Sequence, residues 1–160
     1  MSNVGLFQRA SFPLLALLVV LPGRPAAQTV KSLVESQNYV FQARTAQPMR
    51  GPVRNIATPV YSLQVTTDKI VSDLPYFGRA YIAPMDPTTG PLQFTLDHFD
   101  YKLTAGRKGG WKVVIKPKNQ QDIQEMELNI SAAGYASLQV VSTNRDEISF
   151  EGVITAPDKR

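Results

Sequence analysis

The sequence predicts a mainly β fold, an antiparallel sandwich or small barrel of about eight to nine strands with one short N-terminal helix. Three observations carry that prediction. From Glu127 to Ile154, apolar and polar residues alternate in three consecutive runs separated by turn residues. Twelve prolines and ten glycines punctuate the 160 residues often enough to favour short strands over long helices. No segment shows the strand–helix–strand order of a parallel sheet, and no internal repeat is visible.

Residues 1–28 read as a secretory signal peptide. Arg9 supplies the positive start, Phe12–Leu21 the apolar core, and Pro22–Gln28 a close of small residues and helix breakers. The apolar core falls well short of the roughly 20 residues needed to span a bilayer, so no transmembrane segment is expected after cleavage; the alternative is an uncleaved anchor. The cut is expected near Ala27 or Gln28, with Pro25 blurring its position. The expected location is therefore periplasmic or secreted. The chain has no cysteine, which excludes a lipobox, disulfides and thiolate metal sites.

Arg9 and Arg24 leave with the leader, so the remaining chain carries 15 basic residues against 13 acidic ones. The whole-chain pI of 9.4 thus overstates its basicity. Export and near-neutrality argue against a nucleic-acid partner. With 19% charged and 43% apolar residues the chain suits a globular protein. Residues 29–160 are read as a single exported β domain, able to bury roughly two thirds of its unfolded surface.

Thr29–Asn38 reads as a short helix, with Val30, Leu33 and Val34 on one face and Ser32 and Glu35 at capping-box spacing. Tyr39–Thr45 alternates Tyr39, Phe41 and Ala43 against Val40, Gln42 and Arg44. Gln47–Pro59 is proline-rich and reads as a loop. Val60–Val65 and Ile70–Asp73 pair across the turn Thr66–Lys69. In Leu74–Tyr81, Pro75 interrupts the ladder, and Ala83–Pro91 is a further loop. Leu92–Thr104 is the longest strand, but its phase slips. Phe94 and Leu96 share one parity and Phe99, Tyr101 and Leu103 the other, which implies a bulge near Asp97-His98.

Ala105–Gly110 turns into Trp111–Pro117, where Trp111, Val113 and Ile115 face inward. Lys118–Gln124 is a polar connection. Leu128 and Ile130 then share a face, Gly134 suits a positive φ, and Ala136, Leu138 and Val140 continue the pattern. Asn144–Glu147 is a polar turn before Ile148, Phe150, Gly152 and Ile154.

The segments Leu74–Tyr81, Gly110–Val113, Leu128–Ala136 and Ile148–Gly152 resemble a family of exported proteins from Bacteroidetes-type bacteria, known as domain of unknown function 4251. The resemblance covers nearly all of the chain beyond the leader. It implies a compact exported β domain with no assigned activity and no catalytic residues to carry over. Lipoproteins are frequent in that family, and the absence of cysteine here departs from them.

Among the residues themselves, Tyr76, Phe77 and Arg79 are the candidate ligand-binding group. Aromatics beside a guanidinium can stack on sugars, bases or peptide side chains. The plainer reading places Phe77 and Tyr81 in the core, with Pro75 and Gly78 shaping a bend. Asp97, His98 and Asp100 are the alternative, a small hydrolase or metal-dependent enzyme. His98 is the only histidine, no serine sits in a Gly-x-Ser-x-Gly elbow, and a zinc site would need distant carboxylates. Lys102, Arg107, Lys108, Lys112, Lys116 and Lys118 gather charge on one hairpin, as an acidic-surface contact or as a solvated face that opposes aggregation. No catalytic group, metal site or cofactor is implied. The function expected is a non-enzymatic binding or structural role in the cell envelope, towards an unidentified envelope ligand or protein partner.

Overall fold

The computed structural model describes residues 26–81, 90–118 and 122–157. The predicted signal peptide lies almost wholly outside them, as does most of the Ala83–Pro91 loop. Among the described residues one α-helix, α1 (Ala26–Glu35), precedes ten strands: β1 (Tyr39–Pro48), β2 (Arg54–Asn55), β3 (Ser62–Val65), β4 (Ile70–Leu74), β5 (Leu92–Leu96), β6 (Phe99–Ala105), β7 (Trp111–Pro117), β8 (Ile123–Ile130), β9 (Tyr135–Ser142) and β10 (Ile148–Thr155), with a 3-10 turn at Arg107–Gly109. The mainly β prediction holds, and the architecture is the barrel-like one of the two named.

All strands join one antiparallel sheet in the order β5-β4-β3-β1-β10-β9-β8-β7-β6, with β2 beside the end of β1. Its two outermost strands are consecutive in sequence, linked only by Asp97-His98. Because every neighbour is antiparallel, β5 and β6 run in the same direction. They are therefore one bent strand, whose first half pairs with β4 and whose second half pairs with β7. That corner brings the ends of the sheet together into a nearly closed barrel. The phase slip in Leu92–Thr104 is the sequence signature of this bend: Leu92 and Leu96 are buried before it, and Phe99, Tyr101 and Leu103 are half-buried after it.

The interior holds Tyr39, Phe41, Leu63, Ile115, Leu128, Leu138 and Phe150, all fully buried. Burial of each such side chain stabilises by about 1.5–3 kcal/mol relative to exposure. A hydrogen bond 3.2 Å long joins the hydroxyls of Tyr39 on β1 and Tyr101 on β6, strands that are not neighbours in the sheet, and so spans the interior. A bulge at Arg44 shifts the register between β1 and β10, so that Ala46 takes over the inward parity from Ala43. The carbonyl of the extra residue accepts the Ile56 N–H at 2.8 Å, bringing the chain after β2 back onto β1.

Two local expectations change. The helix covers Ala26–Glu35 rather than Thr29–Asn38. Ser32 lies inside it, so its spacing to Glu35 does not mark the start. Ala26 and Ala27, strong helix formers, extend it N-terminally, and Gln37, at φ 49°, turns the chain out. Gln47–Pro59 is not wholly a loop, since β1 runs on to Pro48 and β2 pairs with it at Arg54 and Asn55. Val30 packs against Gly134, whose φ of 88° makes the β8–β9 turn.

Candidate functional site

Alternation along single strands becomes a surface only when the register is known. Outward residues of six neighbouring strands align as Thr104, Lys112, Asn129, Ser137, Glu151 and Thr45. A second row runs Lys102, Val114, Glu127, Gln139, Ser149 and Gln47. Ser137, the smallest side chain of the first row, lies between Asn129 and Glu151 and makes its low point.

A groove of about 760 Å³ follows, from Arg107 and Trp111 at the β6–β7 turn, past Lys112, Glu127, Asn129 and Ser137, to Tyr135 and Glu151. A second hollow of about 440 Å³ shares Asn129, Ser137 and Glu151 with it and continues past Gln139 and Ser149 to Gln47 and Met49. Together they make one shallow channel of mixed polar and apolar lining across the outer face of the sheet.

Part of the lining is fixed by its own contacts. The Glu127 carboxylate receives Lys112 Nζ at 2.8 Å on one oxygen and the Asn129 amide at 3.0 Å on the other. These two bonds, Lys112 first, hold its pKa below the ordinary carboxylate value. Ser137, Gln139 and Glu151 have no side-chain hydrogen bond to the described residues. The channel thus combines a pre-set charged pair with free hydroxyl, amide and carboxylate groups. Tyr135, 65% exposed, stands on its wall.

The sequence-predicted trio lies elsewhere, on a strap from Pro75 to Tyr81 that crosses the β9–β10 turn. Ala80 bridges Arg145, Tyr81 N–H donates to the Asn144 carbonyl at 2.9 Å, and Asp146 N–H donates to the Arg79 carbonyl at 3.0 Å. The Tyr76 hydroxyl lies 2.8 Å from the Arg79 carbonyl and 2.9 Å from that of Asp146, so its proton is shared between them. Its pKa is pushed up to about 12, by burial first and by the Asp146 charge second. Phe77 is half-buried under the Arg54 guanidinium, 4.7 Å from its ring centre. Tyr76 and Phe77 therefore hold the strap in place, whereas Arg79 and Tyr81 are exposed.

Beneath the strap lie two charged residues of the segment that reads in the sequence as a polar turn. Arg145 and Asp146 are 8% and 4% exposed. Arg145 pairs with Asp122 at 3.4 Å and Asp146 accepts a hydrogen bond from the Tyr81 hydroxyl. Arg145 Nη1 and Asp146 Oδ2 are buried without a partner. Nothing in Asn144-Arg-Asp-Glu147 signals this, because the strap that covers it comes from more than 60 residues upstream.

Asp97, His98 and Asp100 sit at the corner between β5 and β6. All three are exposed, and Asp100 pairs with Lys118 at 2.7 Å. Among the described residues no three His, Asp or Glu side chains gather within reach of one metal ion. Of the six hairpin cations, three are ion-paired among the described residues: Lys112 with Glu127, Lys116 with Glu125 at 3.0 Å, and Lys118 with Asp100. No described helix is long and apolar enough to cross a membrane.

The family model described as "Domain of unknown function (DUF4251)" matches residues 24–154. Among solved structures, the chain is similar to a DUF4251 family protein from Bacteroides eggerthii, with a TM-score of 0.60 and 13% identity over 82% of this chain and 87% of that one. At that identity the likeness bears on the fold alone. Comparison with curated proteins gives no significant match.

Proposed function

The chain belongs to the family described as Domain of unknown function (DUF4251), and from that premise we propose that it is a non-enzymatic binding module of the cell envelope. It works in the periplasm or outside the cell once residues 1–28 are removed. The observation that carries this reading is the outer-face channel, whose two hollows share Asn129, Ser137 and Glu151. The two contiguous hollows set the exposed ring of Tyr135 beside the hydroxyl, amide and carboxylate groups of Ser137, Asn129 and Glu151, a combination of apolar and hydrogen-bonding contacts that a ligand can use.

The test is a thermal-shift screen of the purified protein against glycans, lipids and muropeptides, repeated on Ser137→Tyr. A ligand at a hundred times its dissociation constant adds about 2.7 kcal/mol to stability, a readily visible shift. The reading expects a hit that Ser137→Tyr abolishes, since the phenol fills the low point of the channel. A hit that survives the substitution unchanged contradicts it.

A second reading keeps the strap. Arg50 and Arg79 both lie near enough to Tyr81 to act on its hydroxyl by charge, and this pair of exposed cations suits an anionic group. A thermal shift with acidic probes that disappears in Arg79→Ala supports it, and an unchanged shift counts against it.

A further inference from the structure

We propose that the outer-face channel is a subsite for a neutral glycan chain. This rests on the binding role just proposed and names the ligand class that the channel selects.

Charge comes first. The two hollows are lined by two cationic side chains, Arg107 and Lys112, and three carboxylates, those of Glu127, Glu147 and Glu151. Lys112 and Glu127 neutralise each other, leaving one cation at one end and two carboxylates beyond Ser137. That pattern gives an anionic polymer no continuous positive track and meets it with like charge beyond Ser137.

Apolar partners fit no better. The cores of protein interfaces are rich in aromatic residues, methionine and arginine and poor in serine and glutamate. Here the residues of that kind, Arg107, Trp111, Tyr135 and Met49, are separated by a middle of Asn129, Ser137, Gln139 and Ser149, so they form no continuous apolar core. A peptide could not add itself as a strand either, because β8, β9 and β10 are paired on both sides and offer no free edge.

A neutral polyhydroxylated chain matches what remains. Free amide, hydroxyl and carboxylate groups can each exchange a hydrogen bond with water for one with a sugar hydroxyl. The Glu127 carboxylate is already oriented by two partners, which lowers the cost of ordering the site. Tyr135 offers an exposed ring on which the apolar face of a pyranose can stack. The channel crosses from β7 to β1, four strand spacings of ~4.8 Å or roughly 19 Å, so it suits an oligosaccharide better than a single sugar.

Heat of binding is followed by titration calorimetry as the protein is titrated with cellotetraose, chitotetraose, mannotetraose and xylotetraose, and with tetragalacturonate as the charged counterpart. Expected is a saturable change with at least one neutral chain and none with tetragalacturonate. Tyr135→Ala should weaken that binding about tenfold, and Ser137→Tyr should abolish it, with both variants melting as the wild type does. Saturation by tetragalacturonate alone overturns the neutral-glycan assignment while leaving the channel as the binding surface. No saturable change with any neutral chain also overturns it. The binding reading falls separately, when an envelope ligand found by thermal shift is indifferent to Ser137→Tyr.

Discussion

The hydroxyl of Tyr39 meets that of Tyr101 at 3.2 Å inside the barrel, although their strands are not neighbours in the sheet. Tyr39 is fully buried, so its hydroxyl depends on this partner. Tyr101→Phe is expected to cost about 1–3 kcal/mol, the range for stranding a buried polar group. Tyr39→Phe combined with Tyr101→Phe should cost less than the two single changes added together. Urea unfolding of all four proteins measures this, and simple additivity would show that the pair is not coupled.

The same tyrosines set a limit at alkaline pH. Burial raises the pKa of Tyr39 well above its ordinary value and raises that of Tyr101, while Tyr76 is pushed up to about 12. In each case the folded state favours the neutral phenol. The unfolded chain therefore loses protons first, from about pH 10. This contribution is fully present below pH 10 and is lost as pH rises towards the folded-state values. Urea midpoints should hold steady from pH 8 to pH 9.5 and fall beyond pH 10, with phenolate absorbance of these residues appearing only as the protein unfolds.

Gly152 faces the bulge at Arg44. A Cβ there would collide with the Gln42 carbonyl and lie 2.9 Å from the Phe41 ring. Gly152→Ala should therefore destabilise by about 1–3 kcal/mol, the usual cost of overpacking. Gly109→Ala is the comparison: its Cβ meets open space but its φ of 76° is left-handed, a cost of about 1 kcal/mol. Thermal melts of the two variants rank them, and an equal or reversed order would remove the packing explanation.

On the strap, Tyr76→Phe takes away the proton shared by the Arg79 and Asp146 carbonyls. Hydrogen exchange at the Tyr81 and Asp146 amides, which bond across the strap contact, should quicken. Amides of β8 to β10 should keep their protection. A uniform loss of protection would mean that the strap is integral to the barrel rather than laid on it.

Much of the barrel is legible along the chain. Alternation in Leu128–Ile130, Ala136–Val140 and Ile148–Ile154 marks strands because inward and outward faces differ in polarity on a sheet packed on one side. The phase slip at Asp97-His98 is legible too, since a bend inverts the faces. Ser32 and Glu35 mislead because capping-box spacing recurs by chance inside helices. The channel is not legible. Lys112, Asn129, Ser137 and Glu151 are brought side by side by cross-strand register, which no single strand encodes. The burial of Arg145 and Asp146 is hidden for the same reason, their cover being supplied by Tyr76 and Tyr81.

Amide chemical-shift mapping with the neutral tetrasaccharides locates the bound chain on the surface. Perturbations are expected to gather at Asn129, Ser137, Gln139, Ser149 and Glu151, with a further one at Tyr135, while Arg79 and Tyr81 stay unmoved. Perturbations confined to the strap, or none on the outer face of β8 to β10, would contradict the channel as the binding surface.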